Sequence, residues 1–152
     1  MGQVSFVLKR FQITQPITAS IALAITEIHS QLQRSLAGRL SLHGISFSEF
    51  LVLRQLAKAE GNKLRRIDLA QGAGLSASGI TRLLNPMEKI GLVEKEAASR
   101  DARVSLVALT PAGAKIFAEA EVSFQQVADE FMSRLSEQEQ QLWLSLLHKL
   151  GA

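Results

Sequence analysis

Four polar side chains in the central third of the chain have the chemistry to hydrogen-bond with the edges of nucleic-acid bases. Ser78, Thr81, Arg82 and Asn85 share the outer face of a helix that the apolar spacing predicts over residues 77–90. Short side chains let a helix approach the major groove closely, and hydroxyl, guanidinium and amide groups supply the hydrogen bonds. Because solvated helix faces usually favour Glu and Lys, this face predicts a surface that contacts duplex nucleic acid.

A predicted β-hairpin follows this helix and carries arginines near its tip. Residues 92–96 and 104–109 have the composition of two short strands, and the connection between them contains Arg100 and ends near Arg103. Guanidinium groups in that position can contact phosphates or enter a narrow minor groove, whose negative potential favours them. The hairpin is therefore a second candidate contact with nucleic acid.

The charge distribution favours the same part of the chain. Residues 63–103 contain eight Lys or Arg and five Asp or Glu, whereas residues 104–152 contain three and six. Arg65 and Arg66 stand at the start of a further short helix and are candidate phosphate contacts, which position a protein without reading sequence. Random charge scatter on a solvated surface is the alternative explanation. The charge distribution alone does not distinguish it from a nucleic-acid-binding surface, so the motifs must do so.

Long amphipathic helices are predicted on both sides of the central third. Pro16 suits the first turn of a helix over residues 16–43. A helix of about seven turns is too long for a small core to cover alone, so we expect its apolar stripe to meet a second subunit. A second long helix is predicted after Thr110, and a last one after the capping box Ser136–Glu139. The stripe of the first helix comprises Ile17, Ile21, Ile25, Ile28, Leu32, Leu36 and Leu40.

Two short helices precede the polar helix. One is predicted after the capping box Ser46–Glu49 and another from about Arg65 to the glycines at 72 and 74. Two short helices joined by a glycine-containing turn and followed by a basic hairpin form the arrangement of a winged helix-turn-helix. The predicted fold is mainly α with a small β-hairpin wing, in which residues 46–109 form the winged helix-turn-helix lobe and helices flank it on both sides.

Residues 64–113 resemble the DNA-binding lobe of the MarR family of winged helix-turn-helix transcriptional regulators. The resemblance covers the larger part of the chain by motif and the rest by the order of its helices. The matching features are the Gly74-Leu75-Ser76 turn, the Thr81-Arg82 pair, the run Glu88–Val93, the wing run Asp101-Ala102-Arg103, and Val107–Thr110 with Gly113 beyond it.

This resemblance implies roles for individual residues. The helix 77–90 would be the recognition helix, Arg103 the wing arginine, and Asp101 the acid that orients that arginine. The implied target is a pseudo-palindromic duplex operator that meets two recognition helices about one helical turn apart, and repression is favoured over activation. With the basic candidates above, the predicted DNA-binding set is Ser76, Ala77, Ser78, Thr81, Arg82, Asn85, Arg65, Arg66, Arg100, Asp101 and Arg103.

The resemblance also implies a homodimer and a small-molecule effector. Residues 16–43 and 111–150 would form the dimerisation region. Family members commonly bind small, often aromatic acids between that region and the DNA-binding lobe and then lose DNA affinity, and His29 on the first helix is a candidate contact. The residues expected at the dimer interface are Ile17, Ile21, Phe131, Leu142, Trp143, Leu146 and Leu150.

One residue departs from an ordinary recognition helix. Pro86 lies inside the predicted helix, where it has no amide proton to bond the carbonyl of Arg82 and usually costs ~3 kcal/mol or more. We therefore expect a kink near the third turn of the helix. Most of the candidate base contacts lie before this point, whereas Asn85 is adjacent to it.

Other functions are less well supported by the sequence. The chain has no Cys, which excludes disulfides, Cys-based zinc sites and thiol redox sensing. His29, His43 and His148 are far apart, and we expect no metal site and no cofactor. Residues 72–77 match the dinucleotide fingerprint GxGxxG/A, but the strand that this motif requires does not precede them. No nucleophile has a plausible base beside it, so an enzyme is the least favoured class.

A winged helix that docks a protein partner instead of DNA is the remaining alternative. Such a surface should be more apolar or aromatic than the polar face of the 77–90 helix. The sequence has no recognisable export signal and no apolar run long enough to span a bilayer. A cytoplasmic protein without a membrane partner is therefore expected.

Overall fold

A computed structural model of the chain describes residues 16–97 and 105–151. The chain divides into a first unit that ends at Ser35 and a second that begins at Leu36. Two short 3₁₀ turns, Ser41–His43 and Glu60–Asn62, lie between the regular elements. These elements are α1 (Ile17–Leu40), α2 (Phe47–Lys58), β1 (Lys63–Arg65), α3 (Arg66–Gly72), α4 (Ala77–Lys89), β2 (Val93–Ala97), β3 (Ser105–Leu109), α5 (Pro111–Met132) and α6 (Glu137–Lys149).

The helix α1 confirms the long amphipathic helix predicted after Pro16. Its apolar stripe is not buried evenly, because Ile17 is 76% exposed and Ile21 is 51% exposed, whereas Leu36 and Leu40 are buried. The helix ends in the 3₁₀ turn and at Gly44, whose φ of 72° is the left-handed conformation that favours glycine. The part of α1 in the first unit therefore presents unburied apolar side chains.

The core of the second unit is built around α2. Phe50 is fully buried, and its ring centroid lies 5.7 Å from that of Phe117 and 5.0 Å from that of Phe124. Complete burial of such a side chain is worth ~1.5–3 kcal/mol, so these rings hold α2 against α5. The other side chains of α2 that are fully buried are Val52, Leu53 and Leu56.

The wing sheet has three strands rather than the two that the sequence predicts. The strand order is β1-β3-β2, and both pairs are antiparallel. The predicted hairpin is present as β2 and β3, with Val93 opposite Leu109. The strand β1 is only three residues long, and it pairs Lys63 with Ala108 and Arg65 with Leu106. Burial does alternate along β1, with Leu64 less exposed than Lys63 and Arg65, but three residues are too few for such a pattern to predict a strand from the sequence.

The predicted helix starts are all confirmed. Ser76 and Thr110 accept hydrogen bonds from the amides of Gly79 and Gly113, and Ser46 and Ser136 form capping boxes with Glu49 and Glu139. Hydrogen bonds from the backbone amide and hydroxyl of Ser136 lower the pKa of the Glu139 carboxyl. Within the residues that the structure describes, no helix is long and apolar enough to cross a membrane.

A substitution on the inner face of α4 tests the packing of the core. Ile80 on α4 is fully buried, whereas Ile67 on α3 is 62% exposed. Replacing Ile80 with Ala should lower the free energy of unfolding by ~2–5 kcal/mol, because a cavity replaces packed methyl groups. Urea denaturation at one fixed protein concentration measures the change.

The Ile67→Ala variant is the matched control and should change the free energy of unfolding by less than about 0.5 kcal/mol. Equal losses in the two variants would contradict the assignment of Ile80 to the core and Ile67 to the surface.

Candidate nucleic-acid interface

The helix α4 separates its apolar and polar side chains onto opposite faces. Ile80, Leu84 and Met87 are buried on the inner face, and the neighbouring Leu83 is half-buried. The polar residues face outward, as the predicted contact with the major groove of a duplex requires. Ser76, Ala77, Ser78, Arg82 and Asn85 are exposed, and Thr81 is half-buried.

Hydroxyl groups at the start of α4 also hold the helix itself. The Ser76 hydroxyl accepts a hydrogen bond from the Gly79 amide at 3.1 Å and lies 3.1 Å from the Ser78 hydroxyl. The Thr81 hydroxyl donates to the carbonyl of Ala77 at 2.9 Å. These bonds fix the first two turns of α4, from which the predicted base contacts project.

Pro86 does not end α4. The helix runs on to Lys89, and the amide of Ile90 donates to the carbonyl of Pro86 at 3.1 Å. Proline has no amide proton, so the carbonyl of Arg82 lacks its usual intrahelical donor. The predicted interruption of the hydrogen-bond ladder therefore sits between the Arg82 turn and the last turn of an otherwise continuous helix.

The two arginines at the start of α3 have different surroundings. Arg65 pairs with Asp68 through two hydrogen bonds, Nε to Oδ2 at 2.7 Å and Nη2 to Oδ1 at 2.9 Å. The hydrogen bond from Arg65 is the main cause that lowers the pKa of the Asp68 carboxyl, and the same pairing raises the pKa of Arg65. Arg66 is half-buried, and its buried Nε has no hydrogen-bond partner among the described residues.

Two further ion pairs join the elements of the lobe, and the sequence analysis did not predict them. Lys95 on β2 reaches Glu88 on α4 at 2.6 Å, and Lys63 on β1 reaches Glu96 on β2 at 2.9 Å. Exposed pairs of this kind contribute only ~0–1 kcal/mol each. The pairs leave the net charge of the middle segment unchanged, but each places a carboxylate directly beside a lysine of the lobe.

The tip of the wing lies outside the described residues. The DNA contacts predicted for Arg100, Asp101 and Arg103 therefore stay predictions. The described strands lead to that tip, because the last pair of the β2–β3 ladder joins Ala97 to Ser105.

Comparison with known proteins identifies the family of the chain. The family model described as MarR family matches residues 43–104. The transcriptional regulator HosA of Escherichia coli O157:H7 is 33% identical over 102 residues, which cover 67% of this chain and 74% of HosA. The chain belongs to the MarR family of transcriptional regulators.

Solved structures of MarR-family fold agree with this assignment. A point mutant of MarR from Escherichia coli, crystallised with operator DNA, superposes with a TM-score of 0.80 at 25% identity, covering 88% of this chain and 94% of that chain. The organohalide-sensing regulator RdhR-CbdbA1625, in its 2,4-dichlorophenol-bound form, gives a TM-score of 0.82 at 20% identity, covering 92% and 85%. The second comparison supports the fold alone.

The dimerisation residues that the MarR resemblance implies are mostly unburied in the single chain. Leu142 is 59% exposed and Leu150 is 74% exposed, and Leu146 on the same face of α6 is exposed as well. Phe131 and Trp143 are half-buried, and α6 has no buried residue among those described. On α1, His29 is exposed like Ile17 and Ile21.

Another polar contact that the sequence analysis missed joins the 3₁₀ turn Ser41–His43 to α5. The Nε2 of His43 lies 2.8 Å from the Ser123 hydroxyl, and Nδ1 lies 4.0 Å from a Glu119 carboxylate oxygen. Sequence separation hides such a contact, since only the packing of α5 brings position 123 to position 43. No group of three His, Cys, Asp or Glu side chains within the described ranges could hold a metal ion.

The pairing of Arg65 with Asp68 gives a titration that can be measured. Asp68 should titrate below the usual Asp pKa of about 3.9, because its ionised form accepts two hydrogen bonds from Arg65. The stabilisation is present above the unfolded-state pKa and is lost as pH falls through the lower folded-state pKa. Carboxyl ¹³C NMR on the wild type and on Arg65→Gln checks this.

The pKa of Asp68 should rise in Arg65→Gln, while that of Glu139, whose partner is Ser136, should stay unchanged. A pKa for Asp68 that is the same with and without Arg65 would contradict the pairing.

Proposed function

We propose that this protein is a homodimeric regulator that binds a pseudo-palindromic duplex operator, with α4 in the major groove and the β2–β3 wing in the adjacent minor groove. The single observation that supports it most is the outward polar face of α4, where Ser78, Arg82 and Asn85 are exposed. Membership of the MarR family and the likeness to a MarR protein crystallised with operator DNA support the same function. We expect that binding to the operator represses transcription.

The outer face of α4 has the donors that major-groove readout uses. An arginine such as Arg82 can bind guanine O6 and N7 with two hydrogen bonds, and an asparagine such as Asn85 can do the same with adenine. Ser76, Ala77 and Ser78 stand in the first turn, where small side chains permit close approach and backbone amides favour phosphate. Thr81 completes this surface.

Contacts outside α4 would position the lobe on the duplex. In this proposal Arg100 and Arg103 of the wing contact the minor groove or its phosphates, and Asp101 orients Arg103. Arg65 and Arg66 would contact phosphates, and Arg65 would do so while paired with Asp68. Such contacts supply affinity that depends on salt and carry no sequence information.

Dimerisation explains the apolar surface that the single chain leaves unburied. Leu142, Leu146 and Leu150 lie on one exposed face of α6, and Ile17 and Ile21 are exposed on α1. We assign residues 16–43 and 111–150 to the dimerisation region and residues 46–109 to the DNA-binding lobe. Two lobes related by a two-fold axis would present their recognition helices ~34–36 Å apart.

A small-molecule effector is the proposed control of DNA binding. RdhR-CbdbA1625, which shares the fold, was crystallised with 2,4-dichlorophenol, and a small aromatic or acidic compound is the corresponding class here. Such a ligand would act by favouring one of two pre-existing arrangements of the lobes. His29 is the proposed contact on α1. A protein that binds chromosomal DNA would act in the cytoplasm.

DNA readout by α4 predicts a selective loss in Arg82→Ala. The variant should bind duplex DNA from its own upstream region ~1–3 kcal/mol more weakly, because a direct contact is removed. Fluorescence anisotropy against that duplex and a scrambled duplex, over a range of salt concentrations, measures affinity and selectivity.

Arg134→Ala removes an arginine that is also exposed but lies between α5 and α6, and it should leave the operator affinity unchanged. If the wild type binds the upstream and scrambled duplexes equally well, that region is not the operator. If Arg82→Ala binds a selected duplex as tightly as the wild type, α4 does not read it, and a protein-docking role becomes the next to test.

The proposed dimer predicts that a charge on the exposed face of α6 produces monomers. Leu146→Glu should sediment as a monomer at concentrations where the wild type is a dimer, because the carboxylate would have to be buried without a partner. Ile90→Glu introduces the same charge at an equally apolar residue in the lobe that is 62% exposed, and it should remain a dimer. Dissociation of both variants, or of neither, would contradict the assignment of the interface.

A further inference from the structure

Three elements of the second unit meet at the side chain of Thr110. The Thr110 hydroxyl lies 2.6 Å from the carbonyl oxygen of Gly91, which follows α4, and 3.1 Å from that of Leu92, which precedes β2. The same hydroxyl accepts a hydrogen bond from the amide of Gly113 in the first turn of α5 at 3.0 Å. We call Gly91, Leu92, Thr110 and Gly113 the Thr110 joint.

The hydroxyl of Thr110 both donates and accepts a hydrogen bond in this arrangement. It has one proton, which it donates to the nearer carbonyl, that of Gly91, and its oxygen accepts from Gly113. The backbone amide of Thr110 also donates to Leu92 at 3.2 Å. One residue therefore caps the start of α5 and holds the chain segment that leaves α4.

The other side of this segment is fixed by the end of α4. Gly91 has a φ of 75°, its amide donates to Glu88, and the amide of Leu92 donates to Met87. This is the Schellman pattern of helix termination. Gly91 and Leu92 are thus bound to α4 through their amides and to Thr110 through their carbonyls.

Gly113 brings the backbone of α5 against the same segment. A β-carbon at this position would overlap the carbonyl oxygen of Leu92 and would lie 2.9 Å from a methyl group of Leu109. No side chain fits there without movement of backbone atoms. The first turn of α5 therefore rests directly on the backbone between α4 and β2, with no side chain between them to absorb a displacement.

We propose that Thr110 and Gly113 are positioning residues that fix the recognition helix and the wing to α5, so that a movement of α5 turns them as one body. This inference rests on the proposed function. Thr110 is half-buried and Gly113 is buried, and neither belongs to the predicted DNA-binding set. A residue that only stabilised the fold would not change how α4 is oriented in the folded protein.

The orientation of α4 on α5 can be measured without DNA. The chain has no Cys, so Ala77→Cys on α4 and Glu121→Cys on α5 accept two spin labels specifically, and both positions are exposed. The labelled chain is mixed with an excess of unlabelled chain before refolding, so that most dimers contain a single labelled chain. The measured electron–electron distance then lies within one chain. The distance distribution should be narrow in the otherwise wild-type protein and broad in Thr110→Val, which keeps the shape of the side chain and loses the hydroxyl.

Two variants separate positioning from stability. Thr110→Ser retains the hydroxyl and should keep the narrow distribution. Ser46→Ala removes a comparable helix cap from α2, away from the joint, and should lower stability while the distribution stays narrow. A Thr110→Val distribution as narrow as the wild type, or a Ser46→Ala distribution as broad as that of Thr110→Val, would overturn the proposal.

The DNA-bound consequence is tested with operators whose half-sites are moved apart by one or two base pairs. Thr110→Val should bind the native spacing about tenfold more weakly, equivalent to ~1.4 kcal/mol, because fewer molecules hold the competent arrangement. It should also discriminate less between spacings than the wild type does. An unchanged spacing preference would overturn the proposal. If the wild type binds no operator, the proposed function fails, while the distance measurement still decides whether the joint positions α4.

Discussion

The burial of one face of α4 is the constraint on which the rest of the lobe depends. Ile80, Leu84 and Met87 are buried, because α2, α3 and β2 pack against this apolar face of α4. The opposite, polar face is therefore exposed to solvent. The Ser76 cap sets where the helix starts and Gly91 sets where it ends. The orientation of the candidate DNA-contacting residues is thus a result of core packing and helix termini.

Two helices, α1 and α6, have apolar side chains that the single chain does not bury. The capping box at Ser136 and the amphipathic spacing specify α6, yet none of its described residues is buried in the single chain. The apolar stripe of α1 behaves alike, since Leu36 and Leu40 are buried while Ile17 and Ile21 are not. Exposed apolar patches commonly mark interaction surfaces, and a second copy of the chain is the partner that we propose for these.

The sequence predicted most of the fold because its signals are local. Caps at Ser46, Ser76, Thr110 and Ser136 depend on neighbouring residues only, and apolar spacing located every helix within a few positions. The strand β1 was missed because an alternation over three residues is too short to predict a strand, and the segment is a strand through its pairing with β3. The contacts of His43 with Ser123, of Lys95 with Glu88 and of Thr110 with Gly91 join distant positions. The outward face of α4 was predicted, whereas the pairing of Arg65 with Asp68 was not.

The separation of α4 into two faces also bears on how such a regulator changes over evolutionary time. Ser78, Arg82 and Asn85 take no part in the core, so their replacement alters little of the free energy that holds the lobe together. Mutations at exposed positions of this kind usually change stability by less than about 0.5 kcal/mol. Target preference can therefore diverge after gene duplication without compensating changes in the core, whereas the buried face accepts few substitutions.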